Sequence, residues 1–89
     1  MEAISEFRSY LESRLPGAVI RVRDLTGTED HFDVLVASDA FVGKGLLEQH
    51  RMVMAVMKNR LDRSEVHAVK LKTMTLAEYE LRANQEVRT

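Results

Sequence analysis

The chain reads as a single α+β domain, α-β-β-α-β-α, built on a three-stranded mixed sheet. Three observations predict this. Apolar residues recur at three- and four-residue steps over 4–15 and 46–61, the period of a one-sided helix. They alternate over 18–25, 32–37 and 66–72, the period of a half-buried strand. Short Gly-, Pro- or Ser-containing turns separate the segments, and no repeat or linker divides 89 residues.

In the first segment Ile4, Phe7, Leu11 and Leu15, with Tyr10 beside them, form a stripe that leaves Ser5, Glu6 and Arg8 toward solvent. Pro16-Gly17 stops that helix. Ile20 and Val22 then share one face of a strand, with Arg21 and Arg23 on the other. The connection Thr26-Gly27-Thr28-Glu29-Asp30 has hairpin length, so the next strand, with Phe32, Val34 and Val36 on one face, should pair antiparallel to the first.

Ser38-Asp39-Ala40 closes the second strand. The longest apolar helix follows the Gly43-Lys44-Gly45 turn, with Leu46, Leu47, His50, Val53, Met54, Met57 and Leu61 expected on its buried face. A turn that needs positive φ is the expected use of both glycines. The third strand, Val66 to Lys72, sets His67, Val69 and Leu71 on one face and Lys70 and Lys72 on the other. Thr75-x-x-Glu78 fits a capping box and opens a last helix. The domain is expected over residues 1–83, with 84–89 as a flexible tail and the helices on one face of the sheet.

Composition narrows the function. A chain of this length buries only about 60–65% of its unfolded surface. A formal net charge of -1 argues against general affinity for nucleic acid or acidic membranes. Without cysteine there is no disulfide and no thiolate metal site made by this chain alone. The start Met-Glu-Ala-Ile-Ser has neither the basic lead of a signal peptide nor an apolar run long enough to span a bilayer, so a cytoplasmic location is expected.

The helix between the second and third strands implies a crossover and a parallel pair. His31, just before the second strand, and His67, near the start of the third, should then converge at one edge of the sheet. Either is a metal ligand or a strand-end histidine bonded to backbone or water. Two imidazoles cannot complete a tetrahedral site, so a partner would bring the rest. His50 lies on an apolar stripe, where a structural role competes with a chemical one. The methionines at 52, 54 and 57 read as core fillers or an adaptable contact surface. Arg51, Lys58, Arg60, Arg63, Lys70 and Lys72 could form a basic patch, but aromatics for base stacking are scarce. Gly43-Lys44-Gly45 is too short for a phosphate-binding loop. Glu29 and Asp30 have no apolar pocket to raise a pKa, and no nucleophile elbow is present. No self-sufficient enzyme is legible.

The run Asp30-His31-Phe32-Asp33-Val34-Leu35-Val36, then Ser38-x-x-Phe41-x-Gly43, Gln49-His50-Arg51-x-Val53, Val66-His67-Ala68-Val69 and Thr73-x-Thr75-x-x-Glu78, resembles the BolA-like proteins in order and spacing. The resemblance implies a fold related to class II KH domains and a non-enzymatic partner of monothiol glutaredoxins; the oligomeric state alone is not legible in the sequence, with a monomer favoured. It implies a [2Fe–2S] cluster shared with the glutaredoxin cysteine and glutathione, with His67 as one ligand and His31 in the place of the second. Such mixed ligation changes cluster charge and raises the reduction potential relative to all-thiolate clusters. The resemblance also raises a DNA-binding transcriptional regulator as the alternative, although the Gly-x-x-Gly clamp of KH domains is missing here. Leu76 and Tyr79 stand where family members often carry proline and tryptophan, and Gly45 where a less flexible residue is common.

Overall fold

Phe7 and Phe32 meet at the centre of the molecule with ring centroids 5.2 Å apart and neither side chain exposed. The computed structural model describes residues 4–25, 27, 31–62 and 68–87, with the backbone alone at 59–62, 68 and 85–87. The elements are α1 (Ile4–Arg14), β1 (Val19–Asp24), β2 (His31–Ala37), a 3-10 turn (Asp39–Phe41), α2 (Leu46–Asp62), β3 (Ala68–Met74) and α3 (Leu76–Val87). The sheet order is β1-β2-β3, with β1 antiparallel and β3 parallel to β2. The mixed sheet and the single α+β domain follow the sequence expectation.

α1 buries Phe7 and Leu11, four residues apart on one face. The chain leaves it through Pro16 and Gly17, whose φ of 81° is the left-handed conformation that suits glycine. Ile20, Phe32, Val34, Val36, Val53 and Met57 close the core from the sheet and from α2. Ser38 caps the 3-10 turn by accepting a hydrogen bond from the Ala40 N–H at 3.0 Å, and Phe41 is fully buried behind it.

α2 departs from expectation in part: Val53 and Met57 are buried as expected. Its inward row is Gln49, Val53 and Met57, flanked by the partly buried Met52 and Val56. Leu46, Leu47 and Met54, expected in the core, are exposed by 61%, 65% and 41%; the side chain of Leu61 lies outside the described residues. Two rows at i, i+4 spacing compete for the core in this helix, and the entry turn decides between them. The Gln49 side-chain amide donates to the Lys44 carbonyl at 2.9 Å and its backbone N–H donates to the Gly45 carbonyl at 3.0 Å. A polar residue thereby turns inward with its nitrogens bonded, and Val53 and Met57 follow it at four-residue steps. Of the two glycines in that turn only Gly43 has positive φ, at 79°. The expectation that both need it is corrected.

β3 begins at Ala68 and runs two residues further than expected, to Met74, whose carbonyl accepts from the Ser38 N–H at 3.1 Å. Val66 and His67 lie outside the described residues. α3 is not on the same face as α1 and α2. Tyr79 reaches Arg21, a residue on the side of β1 away from the core, and α3 contributes nothing to the core cluster among the described residues. Thr75 follows Met74 directly, so the last helix starts at the rim of the sheet with no linker to carry it round to the other helices. Its helical backbone continues to Val87, past the boundary expected at Ala83. Among the described residues no helix is long and apolar enough to cross a membrane.

Candidate functional site: the His31 end and the open face of the sheet

The hairpin between β1 and β2 sets the position of His31. The Leu25 N–H donates to the His31 carbonyl at 2.8 Å, and the Asp24 carboxylate accepts from the Gly27 N–H at 3.0 Å. His31 thus opens β2 as the residue before the fully buried Phe32. Strand alternation places it on the face away from the core, together with Asp33 and Leu35. Its side chain is half-buried.

In the parallel ladder His31 pairs with Ala68, Asp33 with Lys70 and Leu35 with Lys72. His67, the other expected ligand, lies outside the described residues; it is the residue bonded to Ala68. β3 turns Val69 and Leu71 toward the core, where both pack partly buried. The pairing expected between the second and third strands is present, and it brings the beginning of β3 to His31.

The donors described at this end would fit a metal group that takes its other ligands from a partner. Among the described residues no group of three or more His, Cys, Asp or Glu side chains could hold a metal ion, and the chain has no cysteine. This chain can offer imidazole and carboxylate to a metal; cysteine sulfur would have to come from elsewhere. His50 does not join the set. It is half-buried on α2 next to Gln49, which holds the inward position of that turn.

Among the described residues the basic patch expected from sequence does not assemble on one surface. Arg51 and Lys58 are exposed on α2, on the core side of the sheet, whereas Lys70 and Lys72 stand on the opposite face. The side chains of Arg60 and Arg63 lie outside the described residues. The open face collects different partners instead. Arg21 and Arg23 alternate with the inward Ile20 and Val22, and the register aligns them with Leu35 and Asp33. Arg23 pairs with Asp33 at 2.8 Å. Arg21 donates through Nε to the Tyr79 hydroxyl at 2.9 Å while its guanidinium lies 5.8 Å from the Tyr79 ring centroid. The alternation of both pairs of cations was legible in the sequence, but only the pairing places the two pairs on one face.

Comparison with known proteins brings one family to this architecture. The family model described as BolA-like protein matches residues 9–78. BOLA2 of Arabidopsis thaliana is 40% identical over 68 residues, 75% of this chain and 71% of that protein. The DNA-binding transcriptional regulator BolA of Escherichia coli is 41% identical over 54 residues, 61% of this chain but only 50% of its own length. Among solved structures, a bol-like protein from Babesia bovis superposes with a TM-score of 0.76 at 28% identity, covering 93% of this chain and 95% of that one.

Proposed function

This chain belongs to the BolA-like protein family, and we propose that within it the chain acts as a non-enzymatic iron–sulfur adaptor for a monothiol glutaredoxin. In this reading the two proteins share a [2Fe–2S] cluster and serve cluster trafficking or iron regulation in the cytoplasm. The observation that supports it is the parallel register of β2 and β3, in which His31 faces Ala68, the residue bonded to His67. His31 and His67 are the proposed ligands on this side, and the glutaredoxin cysteine and glutathione supply sulfur. The cluster, when bound, brings electron storage at a potential raised by imidazole ligation. The chain's own residues hold it and orient the partner.

The test is anaerobic cluster reconstitution with a monothiol glutaredoxin and glutathione, read by visible circular dichroism, with His67→Ala and His31→Ala in parallel. The expected result is a spectrum distinct from that of the glutaredoxin alone, altered by His67→Ala while the far-ultraviolet spectrum stays unchanged. An identical cluster spectrum in the His67→Ala complex would refute the ligand assignment.

A DNA-binding regulator is the second reading, raised by the name of the Escherichia coli relative. It is the weaker one here, because the Gly-x-x-Gly loop that clamps a nucleic-acid backbone is missing, and Arg51 and Lys58 stand on the other side of the sheet from Lys70 and Lys72. Binding to duplex DNA with a steep salt dependence, lost on neutralising Lys58 and Lys72, would favour it over the adaptor.

A further inference from the structure

The open face of the sheet carries Arg21, Arg23, Lys70 and Lys72, and the middle of α3 adds Arg82. Asp33 borders the strand cations and pairs with Arg23, and Glu78 lies near enough to Arg82 to feel its charge. This concentration stands on a chain whose net charge is -1, so the charges are strongly segregated and the field over this face is positive. Two hollows meet there. One, of about 670 Å³, runs along the four strand cations; the other, of about 440 Å³, lies between Arg21, Lys72 and Arg82 under α3.

Leu35 borders both hollows, and Met74 adds a second apolar side chain to the smaller. An apolar centre inside a cationic rim has the anatomy of a protein contact. A single-stranded nucleic acid would need exposed aromatic surfaces on which to stack its bases. The one aromatic at this face, Tyr79, has its hydroxyl bonded to Arg21 and its ring beside the same guanidinium. We propose that the open face of the sheet docks an acidic segment of a partner protein, with an aliphatic side chain seated over Leu35 and carboxylates paired to Arg21, Lys70 and Lys72. The proposal rests on charge and shape at this face and is independent of the cluster reading.

The probes are three fluorescent polyanions of equal charge: a peptide alternating Glu with Leu, a peptide alternating Glu with Ser, and a single-stranded oligonucleotide. Binding to the full chain is read by fluorescence anisotropy at low and physiological salt, and amide shifts of the wild-type protein locate the site. The Glu–Leu peptide should bind tightest, loosen with salt, and move the amides of Arg21, Leu35 and Lys72. Lys70→Glu with Lys72→Glu, both at exposed positions, should weaken it at least about tenfold, whereas Arg51→Glu on α2 should not. Equal or tighter binding of the oligonucleotide or of the Glu–Ser peptide overturns the proposal. So does an equal loss with Arg51→Glu, shifts confined to α2, or no binding of the Glu–Leu peptide at low salt.

Discussion

His31 and Ala68 stand opposite each other across the parallel β2–β3 ladder. The start of β3 is therefore brought to the residue that opens β2, although 37 positions separate them in the chain. A long helical connection makes this possible, because only a crossover returns the chain to the same end of the sheet with the same direction.

If His31 ligates the cluster, His31→Cys should preserve a glutaredoxin-bridged cluster and lower its reduction potential. Thiolate adds negative charge where neutral imidazole stood, and the shift should be on the order of 100 mV or more. Redox titration of the reconstituted complex measures it; an unchanged potential places the ligand elsewhere.

Met57→Ala should destabilise the fold by about 2–5 kcal/mol, since Met57 is fully buried between α2 and the sheet. Met54→Ala, three residues earlier and exposed, should stay within about 0.5 kcal/mol of the parent. Urea midpoints of the two variants compare the rows of α2 directly, and equal losses would contradict the inward row described here.

Gly43→Ala should cost about 1–2 kcal/mol, because at its positive φ a Cβ comes too close to the adjoining carbonyl oxygen. Gly45 lacks that conformation and has no atom within 4 Å of an added Cβ. As the residue before α2 whose carbonyl accepts the first helical bond from Gln49, it is an N-cap that favours glycine over alanine, so Gly45→Ala should still cost stability, but less than Gly43→Ala, at under about 1 kcal/mol. The same denaturation series reads both.

The capping box of α3 should respond to acid. The Thr75 N–H donates to the Glu78 carboxylate at 2.9 Å, and the Glu78 N–H donates to the Thr75 hydroxyl at 3.2 Å. The backbone bond from Thr75, then its hydroxyl, holds Glu78 below its ordinary value of 4.5. A depressed carboxylate contributes stability above 4.5 and loses it as pH falls through the lowered folded value. Glu78→Gln should flatten this part of the pH profile of thermal unfolding, while Thr75→Ala should cost about 1 kcal/mol near neutral pH.

The face of each strand was legible because period-two alternation needs no knowledge of the partner: Ile20, Phe32, Val34 and Val36 are inward as read. The box at Thr75 and Glu78 was equally local. α2 was harder, since Leu46, His50 and Met54 obey the same spacing as Gln49, Val53 and Met57, and periodicity cannot rank two adjacent rows. Burial of Gln49 ran against polarity and was decided by the carbonyls that receive its nitrogens.

By itself the sequence determined the element order, the antiparallel hairpin, the parallel return and the family motifs, all of which follow from short-range pattern and connection length. The tertiary structure alone decided which row of α2 is inward, that α3 lies across the sheet from α1 and α2, and that Arg21, Arg23, Lys70 and Lys72 share one surface. These depend on register and on which surfaces compete for a single small core, and both are set between segments distant in the chain.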